Sequence, residues 1–196
     1  MKVAIIKYNA GNVRSVSFAL ERIGVNAIIT DDVSEIQSAD KIIFPGVGEA
    51  KSAMDYLKEK KLDEVIKNLK QPVLGICLGM QLMCKHSEEG NTAGLGIFNL
   101  NVLKFNNNDL KLKVPQMGWN TIENLDSKLF ARIKEKEYMY FVHSYYVEKG
   151  ESTIATTDYI IEYSSALQKN NFYAVQFHPE KSGKMGEKII KNFLLL

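Results

Sequence analysis

The sequence is poor in cysteine, proline and tryptophan, with two, four and one of them among 196 residues. Cys77 and Cys84 are seven positions apart. On one helix this spacing corresponds to a rise of about 10 Å, which is beyond the reach of a disulfide bond. The cysteines and the three histidines do not follow the spacing of a metal site. The composition argues against a disulfide scaffold and predicts a site that uses neither a metal ion nor a cofactor.

The sequence also lacks a long hydrophobic run and a surplus of charge. The N-terminal apolar run, residues 3–6, is too short for a signal peptide or a membrane span. Lys plus Arg number 25 and Asp plus Glu number 23, so the formal net charge is +2. This balance gives no electrostatic basis for binding nucleic acid or an anionic membrane. We therefore expect a cytoplasmic protein without a nucleic-acid or membrane partner.

The first half of the chain alternates between strand and helix patterns. Short apolar runs predict strands at residues 3–6, 27–29, 41–44 and 73–76. Apolar positions at helical spacing predict helices at residues 12–23, 53–57 and 62–69, and a further helix after Cys77. Strands separated by helices of this length predict right-handed βαβ units and a parallel sheet.

The second half of the chain has short strands joined by short links, and a helix is predicted at its end, over residues 183–196. The strands are predicted at residues 100–105, 110–114, 138–147, 152–157, 163–167 and 172–177. Residues 106–109 are predicted to form a turn. Such links favour antiparallel additions to the sheet. We expect an α/β fold with one domain, residues 1–196, built on a parallel sheet with antiparallel additions.

Cys77 stands between two glycines where a predicted strand passes into a helix. The spacing Gly-x-Cys-x-Gly is the nucleophile-elbow pattern with sulfur in place of the serine oxygen. Side chains at Gly75 or Gly79 would collide with neighbouring backbone in so tight a turn. The following helix directs its N-terminus at the sulfur, which favours a thiolate, and Leu78 would offer its backbone N–H to an oxyanion. A lone cysteine is more often a small buried hydrophobe, and Cys84, which lacks this setting, is interpreted in that way.

A cysteine nucleophile needs a base, and the base needs a group that orients it. His178 is the best candidate because it ends a predicted strand and is followed by Pro179 and Glu180. Proline cannot continue a central strand, so the strand stops there. Residues two apart share a face, so Glu180 can hydrogen-bond one ring nitrogen and direct the other towards Cys77. The alternative is a strand-end histidine beside an exposed acid.

The other two histidines have structural explanations. His86 is expected near the C-terminal end of the helix that begins at Leu78. His143 lies within a predicted aromatic strand and is expected to be a buried histidine with its hydrogen bonds satisfied.

Three loops are expected at the carboxyl ends of parallel strands, where open α/β sheets bind their ligands. They are residues 8–11, residues 45–48 and the turn at Cys77. The segment 45–48, Pro-Gly-Val-Gly, is either an ordinary turn or a mobile segment that supplies a second oxyanion N–H. It lacks the Lys-Ser/Thr ending of a nucleotide-binding P-loop.

Three motifs in this order resemble the class I (triad-type) glutamine amidotransferases. They are PGVG at 45–48, GICLGMQL at 75–82 and FHPEKSG at 177–183. The resemblance implies a flavodoxin- or Rossmann-like three-layer fold and an enzyme that hydrolyses glutamine to glutamate and ammonia. It implies that Cys77 is the nucleophile, His178 the acid/base and Glu180 its orienting group.

The same resemblance implies an oxyanion hole and a glutamine-binding site. The oxyanion hole would be formed by Leu78, Gly46, Val47 and Gly48. Glutamine would be held by Gly48, Gln81, Ser144 and Tyr145.

Three further segments narrow the resemblance to one branch of this class, over essentially the whole chain. They are GNVRSV at 11–16, VPQMGWN at 114–120 and YFVHSYY at 140–146. In that branch a (β/α)-barrel cyclase subunit docks over the glutaminase site and forms a heterodimer with it. The cyclase uses the ammonia to make imidazole glycerol phosphate and an aminoimidazole carboxamide ribotide in histidine biosynthesis. Met117, Trp119 and Tyr138 are either interface residues, because aromatic residues are enriched at interface cores, or ordinary core residues.

Some positions depart from this pattern and keep other acceptors open. Lys7, Asn9 and Gln116 stand where Asp, Gly and His are common. A paralogue that feeds ammonia to an amidino-sugar pathway is one alternative, and the glutaminase of pyridoxal phosphate synthase is another, against which GNVRSV and MGWN argue. A stand-alone cysteine hydrolase or peptidase would turn over without a partner. A catalytically silent binding module would leave the two glycines around Cys77 unexplained.

Overall fold

The computed structural model of the protein describes residues 1–9, 11–107 and 112–196. The α-helices, numbered in chain order, are α1 (Val13–Arg22), α2 (Val33–Ser38), α3 (Ala50–Glu59), α4 (Leu62–Lys67), α5 (Leu78–Met83) and α6 (Gly183–Leu194). The strands are β1 (Val3–Ile6), β2 (Ala27–Thr30), β3 (Lys41–Phe44), β4 (Val73–Ile76), β5 (Cys84–Ser87), β6 (Thr92–Ala93), β7 (Phe98–Lys104), β8 (Gln116–Ile122), β9 (Glu137–His143), β10 (Tyr145–Val147), β11 (Thr153–Asp158), β12 (Glu162–Lys169) and β13 (Phe172–Val175).

Five neighbouring strands form the parallel half of the main sheet, in the order β2, β1, β3, β4 and β13. Strands β1, β3 and β4 are buried on both faces, as expected for parallel strands covered on both sides by helices. In β1, Val3 and Ile5 face one hydrophobic core, whereas Ala4 and Ile6 face the other. The bounds predicted for these three strands are confirmed.

The sheet continues from β13 through β12, β10, β7, β5 and β6, and β11 branches off this order by pairing with β12. Strand β12 is antiparallel to β13, β11 and β10, and β10 is antiparallel to β7. The predicted α/β fold with a parallel sheet and antiparallel additions is therefore confirmed. One part differs: among the described residues, β8 and β9 pair only with each other, in a separate two-stranded antiparallel sheet.

The strand predicted over residues 138–147 is wrong as a single element. It divides at Ser144 into β9, which belongs to the small sheet, and β10, which pairs with β7 and β12 in the main sheet. The aromatic run is continuous in sequence, but its two parts are buried by different partners. Ser144 therefore stands at the junction of the two sheets.

The strand predicted over residues 110–114 is not confirmed. Residues 110 and 111 lie outside the described part of the chain, as do Ala10 and two residues of the predicted turn 106–109. Residues 112–114 are not in a strand, and β8 begins only at Gln116. Strand β8 is half-exposed and pairs only with β9, so its pattern of apolar residues is weak.

Helices cover both faces of the parallel half, which gives the predicted three layers. On one face α1 and α6 bury Val16, Leu20, Ile189, Ile190 and Phe193. On the other face α2 to α5 bury Ile36, Met54, Leu57, Ile66 and Met80. Helix α2 was not predicted, because in six residues it buries only Ile36, yet the Asp32 side chain caps it by accepting from Glu35 N at 3.0 Å. No helix in the described ranges is long and apolar enough to cross a membrane.

The prediction that His86 ends a helix is wrong. Helix α5 ends at Met83, and Cys84 has an extended backbone with φ −73° and ψ 172°. The chain enters β5 there because β5 pairs in parallel with β7, where Cys84 lies opposite Phe98. His86 is therefore a half-buried strand residue, with Nε2 2.9 Å from Asn91 Oδ1. This long-range pairing overrides the local helical spacing of the apolar residues.

Candidate active site

A cavity of about 300 Å³ opens at the carboxyl ends of the parallel strands. Strand β4 lies between β3 and β13, so the segments that follow these three strands meet at one edge of the sheet. We call the opening the Cys77 cavity. It is lined by Val47, Gly48, Cys77, Leu78, Gln81, Glu89, Pro115, Val142, His143, Ser144 and Tyr145.

Cys77 forms the sharp turn between β4 and α5. Its φ of 52° and ψ of −107° lie in a region that L-residues rarely adopt. A Cβ atom at Gly79 would come within 1.9 Å of the Phe44 carbonyl oxygen. A Cβ atom at Gly75 would lie 3.1 Å from backbone atoms of Gly79 and Met80. These backbone contacts confirm why the turn takes glycine at both positions.

His178 interacts with Cys77 and with Glu180. Strand β13 runs parallel to β4 with Val175 opposite Ile76, which brings the residues after the two strands together. The side chains of His178 and Glu180 are both fully buried, and His178 Nδ1 is 2.7 Å from Glu180 Oε1. The predicted hydrogen bond is present. Its cause differs from the prediction, because Glu180 lies in a 3₁₀ turn, Pro179–Lys181, and not on the same face of a strand as His178.

The charge of His178 is set by its two neighbours. Burial alone lowers the pKa of His178, but its interactions with Cys77 and Glu180 outweigh burial and raise this pKa to about 10. The imidazole is therefore cationic at neutral pH. Its Nδ1 is held by Glu180, whereas Nε2 is buried without a hydrogen-bond partner in the described residues. The second ring nitrogen thus remains available for proton exchange with Cys77, the other side chain with which His178 interacts.

Asn12 contacts this pair and was not predicted as a site residue. It precedes α1 in a left-handed conformation with φ 75°. Its Nδ2 donates to Glu180 Oε1 and lies 3.3 Å from His178 Nδ1. Because Glu180 Oε1 also contacts His178, Asn12 helps to fix the carboxylate against the ring. In the sequence, the segment 11–16 indicated only a family resemblance and predicted no role for Asn12.

The segment 45–48 is packed against the start of α5. The Leu78 backbone N–H donates to the Gly46 carbonyl oxygen at 3.2 Å. The Tyr8 hydroxyl donates to the Pro45 carbonyl oxygen at 2.6 Å, and a Cβ atom at Gly46 would lie 2.0 Å from that hydroxyl oxygen. In this conformation Leu78 N–H is occupied, and Gly46 does not line the cavity although Val47 and Gly48 do.

Gln81, Ser144 and Tyr145 line the cavity, as the resemblance implies for residues that hold glutamine. Gln81 Nε2 donates to the Tyr145 carbonyl oxygen at 3.0 Å and to Gln176 Oε1 at 3.0 Å. Both amide protons of Gln81 are thereby used within the protein. Its carbonyl oxygen Oε1 is the polar atom left for a ligand.

Two ionisable residues that were not predicted as site residues also line the cavity. Glu89 is half-buried, and burial raises its pKa, while Ala50 N donates to Glu89 Oε2 at 2.8 Å. His143 Nδ1 is 2.7 Å from the Tyr145 carbonyl oxygen, and Nε2 is 3.2 Å from the Tyr163 hydroxyl. Burial lowers the pKa of His143 to about 4, so it is neutral at pH 7. The expectation of a buried histidine with satisfied hydrogen bonds is confirmed.

Comparison with known proteins supports the resemblance found in the sequence. Residues 4–196 match the family Glutamine amidotransferase class-I. The chain belongs to this family. The predicted membership, drawn from the motifs around Gly46, Cys77 and His178, is therefore confirmed. A strand-turn-helix elbow with a buried histidine and carboxylate behind it fits the chemistry that the family name describes.

Full-length relatives in the family carry a more specific name. The chain is 61% identical over 194 residues to imidazole glycerol phosphate synthase subunit HisH of Bacteroides thetaiotaomicron, which covers 99% of each chain. It is 62% identical over 196 residues to the protein of the same name from Bacteroides fragilis, with both chains fully covered. The subunit of that name from Pasteurella multocida is 49% identical and is covered to 96%.

Solved structures share the fold at much lower identity. A glutamine amidotransferase superposes with a TM-score of 0.76 at 17% identity, covering 100% of this chain and 98% of the other. PurLQS from Thermotoga maritima gives a TM-score of 0.71 at 15% identity, with 99% and 97% covered. At this identity the likeness establishes the fold alone.

Proposed function

We propose that this protein is the glutaminase subunit of an imidazole glycerol phosphate synthase and supplies ammonia for histidine biosynthesis. The observation that carries this proposal is the identity of 61% and 62% over essentially whole chains to subunits of that name. Cys77 lines the cavity, and the buried His178 interacts with it and is held by Glu180, which supplies the chemistry that such a subunit needs. The departures at Lys7, Asn9 and Gln116 are not among these three residues.

We propose that Cys77 Sγ attacks the carboxamide carbon of glutamine. A C–S bond forms and the carbonyl oxygen takes the electron pair. When the tetrahedral intermediate collapses, the C–N bond breaks and His178 Nε2 gives its proton to the leaving ammonia. Water then attacks the thioester carbon, His178 takes the proton from water, and the C–S bond breaks to release glutamate. Glu180 holds His178 Nδ1–H throughout and stabilises the ring in the steps in which it is an imidazolium, as the 2.7 Å contact supports.

The oxyanion of the intermediate requires backbone donors, and one of the proposed donors is not free in this conformation. Leu78 N–H is the donor nearest the nucleophile in sequence, but the Gly46 carbonyl oxygen occupies it. We propose that the carbonyl of Gly46 turns away so that Leu78 N–H and an N–H of the segment Gly46–Gly48 can bind the oxyanion. The conformation in which the Gly46 carbonyl oxygen occupies Leu78 N–H accounts for an expected low activity of the isolated chain.

The cavity wall supplies groups that match the α-ammonium group of glutamine. Glu89 brings a carboxylate to the lining, which suits an α-ammonium group, and Gln81 Oε1 is a second acceptor. Gly48, Ser144 and Tyr145 complete the binding site in this proposal. Glutamine carries the ammonium group that these acceptors recognise, whereas a simple amide does not.

The surface proposed for the (β/α)-barrel cyclase subunit is the small sheet. On β8 and β9 the side chains of Met117, Trp119 and Tyr138 are 66%, 56% and 60% exposed. The alternative that they are core residues is therefore wrong. His178 N donates to the Tyr140 carbonyl oxygen of β9 at 2.9 Å, so the sheet that would meet the partner is bonded directly to the catalytic segment.

The decisive experiment measures glutamate release by the chain alone, with the cyclase subunit, and with the cyclase subunit and its ribonucleotide. We expect a low rate for the chain alone and a sharp rise when both are present. Full activity of the isolated chain would favour the stand-alone hydrolase. No activity with the cyclase, but stimulation by another ammonia acceptor, would favour the paralogue.

The interface is tested with Trp119→Ala, which should weaken complex formation and partner-stimulated turnover because a large exposed aromatic is lost from the proposed surface. Ile29→Ala is a matched control, since Ile29 is exposed on the edge strand β2 at the far side of the sheet. Unchanged binding and turnover in Trp119→Ala would contradict the proposed interface.

A further inference from the structure

Gln176 is a buried polar residue that the proposed mechanism does not use. It follows β13 directly and is 0% exposed. Its backbone is fixed beside the elbow, because Cys77 N donates to the Val175 carbonyl oxygen at 2.8 Å and Gln176 N donates to the Ser165 carbonyl oxygen at 2.8 Å. The side chain lies between α5 and the nucleophile: Oε1 accepts from Gln81, and Nε2 is 3.6 Å from Cys77 Sγ.

The orientation of this amide follows from its neighbours. The Tyr145 carbonyl oxygen can only accept, so Gln81 must present its NH₂ group to it. The same Gln81 nitrogen faces Gln176, which must therefore present its oxygen there. The NH₂ group of Gln176 is then left to face Cys77 Sγ. A flipped Gln176 would place two NH₂ groups against each other and leave an oxygen facing the sulfur.

We propose that Gln176 is a positioning residue that donates a hydrogen bond to Cys77 Sγ and stabilises its thiolate form. This inference rests on the proposed glutaminase function of the same site. Hydrogen bonds to an ionised acceptor favour the charged form and hold it in one geometry. His178 and Gln176 then act on the sulfur from different directions, one by charge and proton transfer and the other as a fixed neutral donor. The successive hydrogen bonds between Tyr145, Gln81 and Gln176 link the cavity wall to the nucleophile.

The experiment measures alkylation of Cys77 by iodoacetamide as a function of pH, independently of glutamine turnover. It uses chains that carry Cys84→Ala, so that Cys77 is the remaining thiol. Gln176→Met removes the donor, and Gln176→Glu keeps the shape but places an oxygen against the sulfur. Gln168→Met is the matched control, because Gln168 lies on β12 and bonds to Ser127, away from the cavity. The titratable groups that interact with Cys77, namely His178, Tyr8 and Tyr163, are the same in all variants.

We expect the pH of half-maximal alkylation to rise by about one unit in Gln176→Met and further in Gln176→Glu, with no change in Gln168→Met. At any pH below both midpoints this corresponds to a roughly tenfold slower alkylation in Gln176→Met. If both Gln176 variants keep the wild-type pH profile, Gln176 merely fills space and the proposal fails. If wild type shows no glutamine hydrolysis even with the cyclase subunit and its ribonucleotide, but the profiles move as expected, the proposed glutaminase function fails while the hydrogen bond from Gln176 to Cys77 stands.

A second measurement uses the wild-type fold and avoids the risk that the variants do not fold. The side-chain NH₂ protons of Gln176 are followed by NMR while pH is raised. We expect their chemical shift to follow the ionisation of Cys77, and this dependence should disappear in Cys77→Ala. If the chemical shift of these protons does not change with pH in the wild type, the proposed hydrogen bond from Gln176 to Cys77 is wrong.

Discussion

The two ends of helix α5 carry the same residue in opposite settings. Cys77 precedes the helix with a left-handed φ of 52°, lines the cavity and meets His178 and Gln176. Cys84 follows the helix with an extended backbone, is fully buried, and donates its thiol to the Met80 carbonyl oxygen at 3.5 Å. Burial raises the pKa of Cys84 far above its usual range. Residue type alone therefore does not decide which thiol can react.

At each end of this helix a glycine is so closely packed against backbone that a Cβ atom would collide. Close packing of a glycine alone therefore does not make an active site. A Cβ atom at Gly79 would meet the Phe44 carbonyl oxygen at 1.9 Å, and one at Gly94 would meet the Cys84 carbonyl oxygen at 2.2 Å. At the first end the close approach turns the chain at the carboxyl edge of the parallel strands, where side chains surround an opening. At the second end it packs the chain onto the core.

Removing each sulfur in turn tests most directly whether Cys77 and Cys84 have separate roles. We expect Cys77→Ala to lower glutamine hydrolysis in the presence of the cyclase subunit at least about a thousandfold, because no other group can form the thioester. Cys84→Ala should retain the rate and lower the free energy of unfolding by about 1 kcal/mol, because it leaves a small cavity. Glutamate release and urea unfolding measure the two effects. Equal loss of activity in both variants would refute the assignment of separate roles.

The two glycines give the next largest effect. Gly79→Ala should lower the free energy of unfolding by at least about 3 kcal/mol, because its Cβ collides with backbone. It should also lower turnover per folded molecule, because the elbow moves. Gly94→Ala should cost at least about 2 kcal/mol of stability without changing turnover per folded molecule. Urea unfolding combined with turnover of the folded fraction separates these outcomes, and a Gly79→Ala protein with wild-type turnover would contradict them.

Local patterns in the sequence predicted the parallel half of the fold and missed features that depend on distant partners. Strands β1, β3 and β4 are continuous apolar runs because both faces are buried, so their bounds could be assigned. The end of α5 could not, since the pairing of Cys84 with Phe98 decides it. The break at Ser144 was hidden because the aromatic run continues across it.

The candidate site divides in the same way. Cys77, His178 and Glu180 stand in short motifs with recognisable spacing, and the structure places them together. Asn12 and Gln176 were not predicted because amide side chains carry no local pattern. Asn12 contacts His178 across 166 residues of sequence, and Gln176 contacts Cys77 across 99. Only the fold reveals which of many amides stands beside the reacting groups.

The smallest expected effect concerns the histidines that face the first end of α5. The pKa of His178 is raised to about 10, whereas burial lowers that of His143 to about 4. An unfolded histidine binds a proton below about pH 6.5, but folded His143 does not until near its own pKa. Between these values the unfolded state binds more protons, so stability falls as the pH is lowered. His143 should therefore cost about 1.5 kcal/mol of unfolding free energy between about pH 6.5 and about pH 5.

The variant His143→Asn removes this titration while its side-chain NH₂ group can still donate to the Tyr145 carbonyl oxygen, as Nδ1 does at 2.7 Å. Urea unfolding of both proteins at a series of pH values measures the difference. We expect the stability of His143→Asn to fall less steeply on acidification, so that the two curves converge. Parallel curves would mean that His143 already takes up a proton in the folded cavity. The assignment of His143 as a neutral residue of the cavity lining would then be wrong, and with it the contrast between His143 and His178.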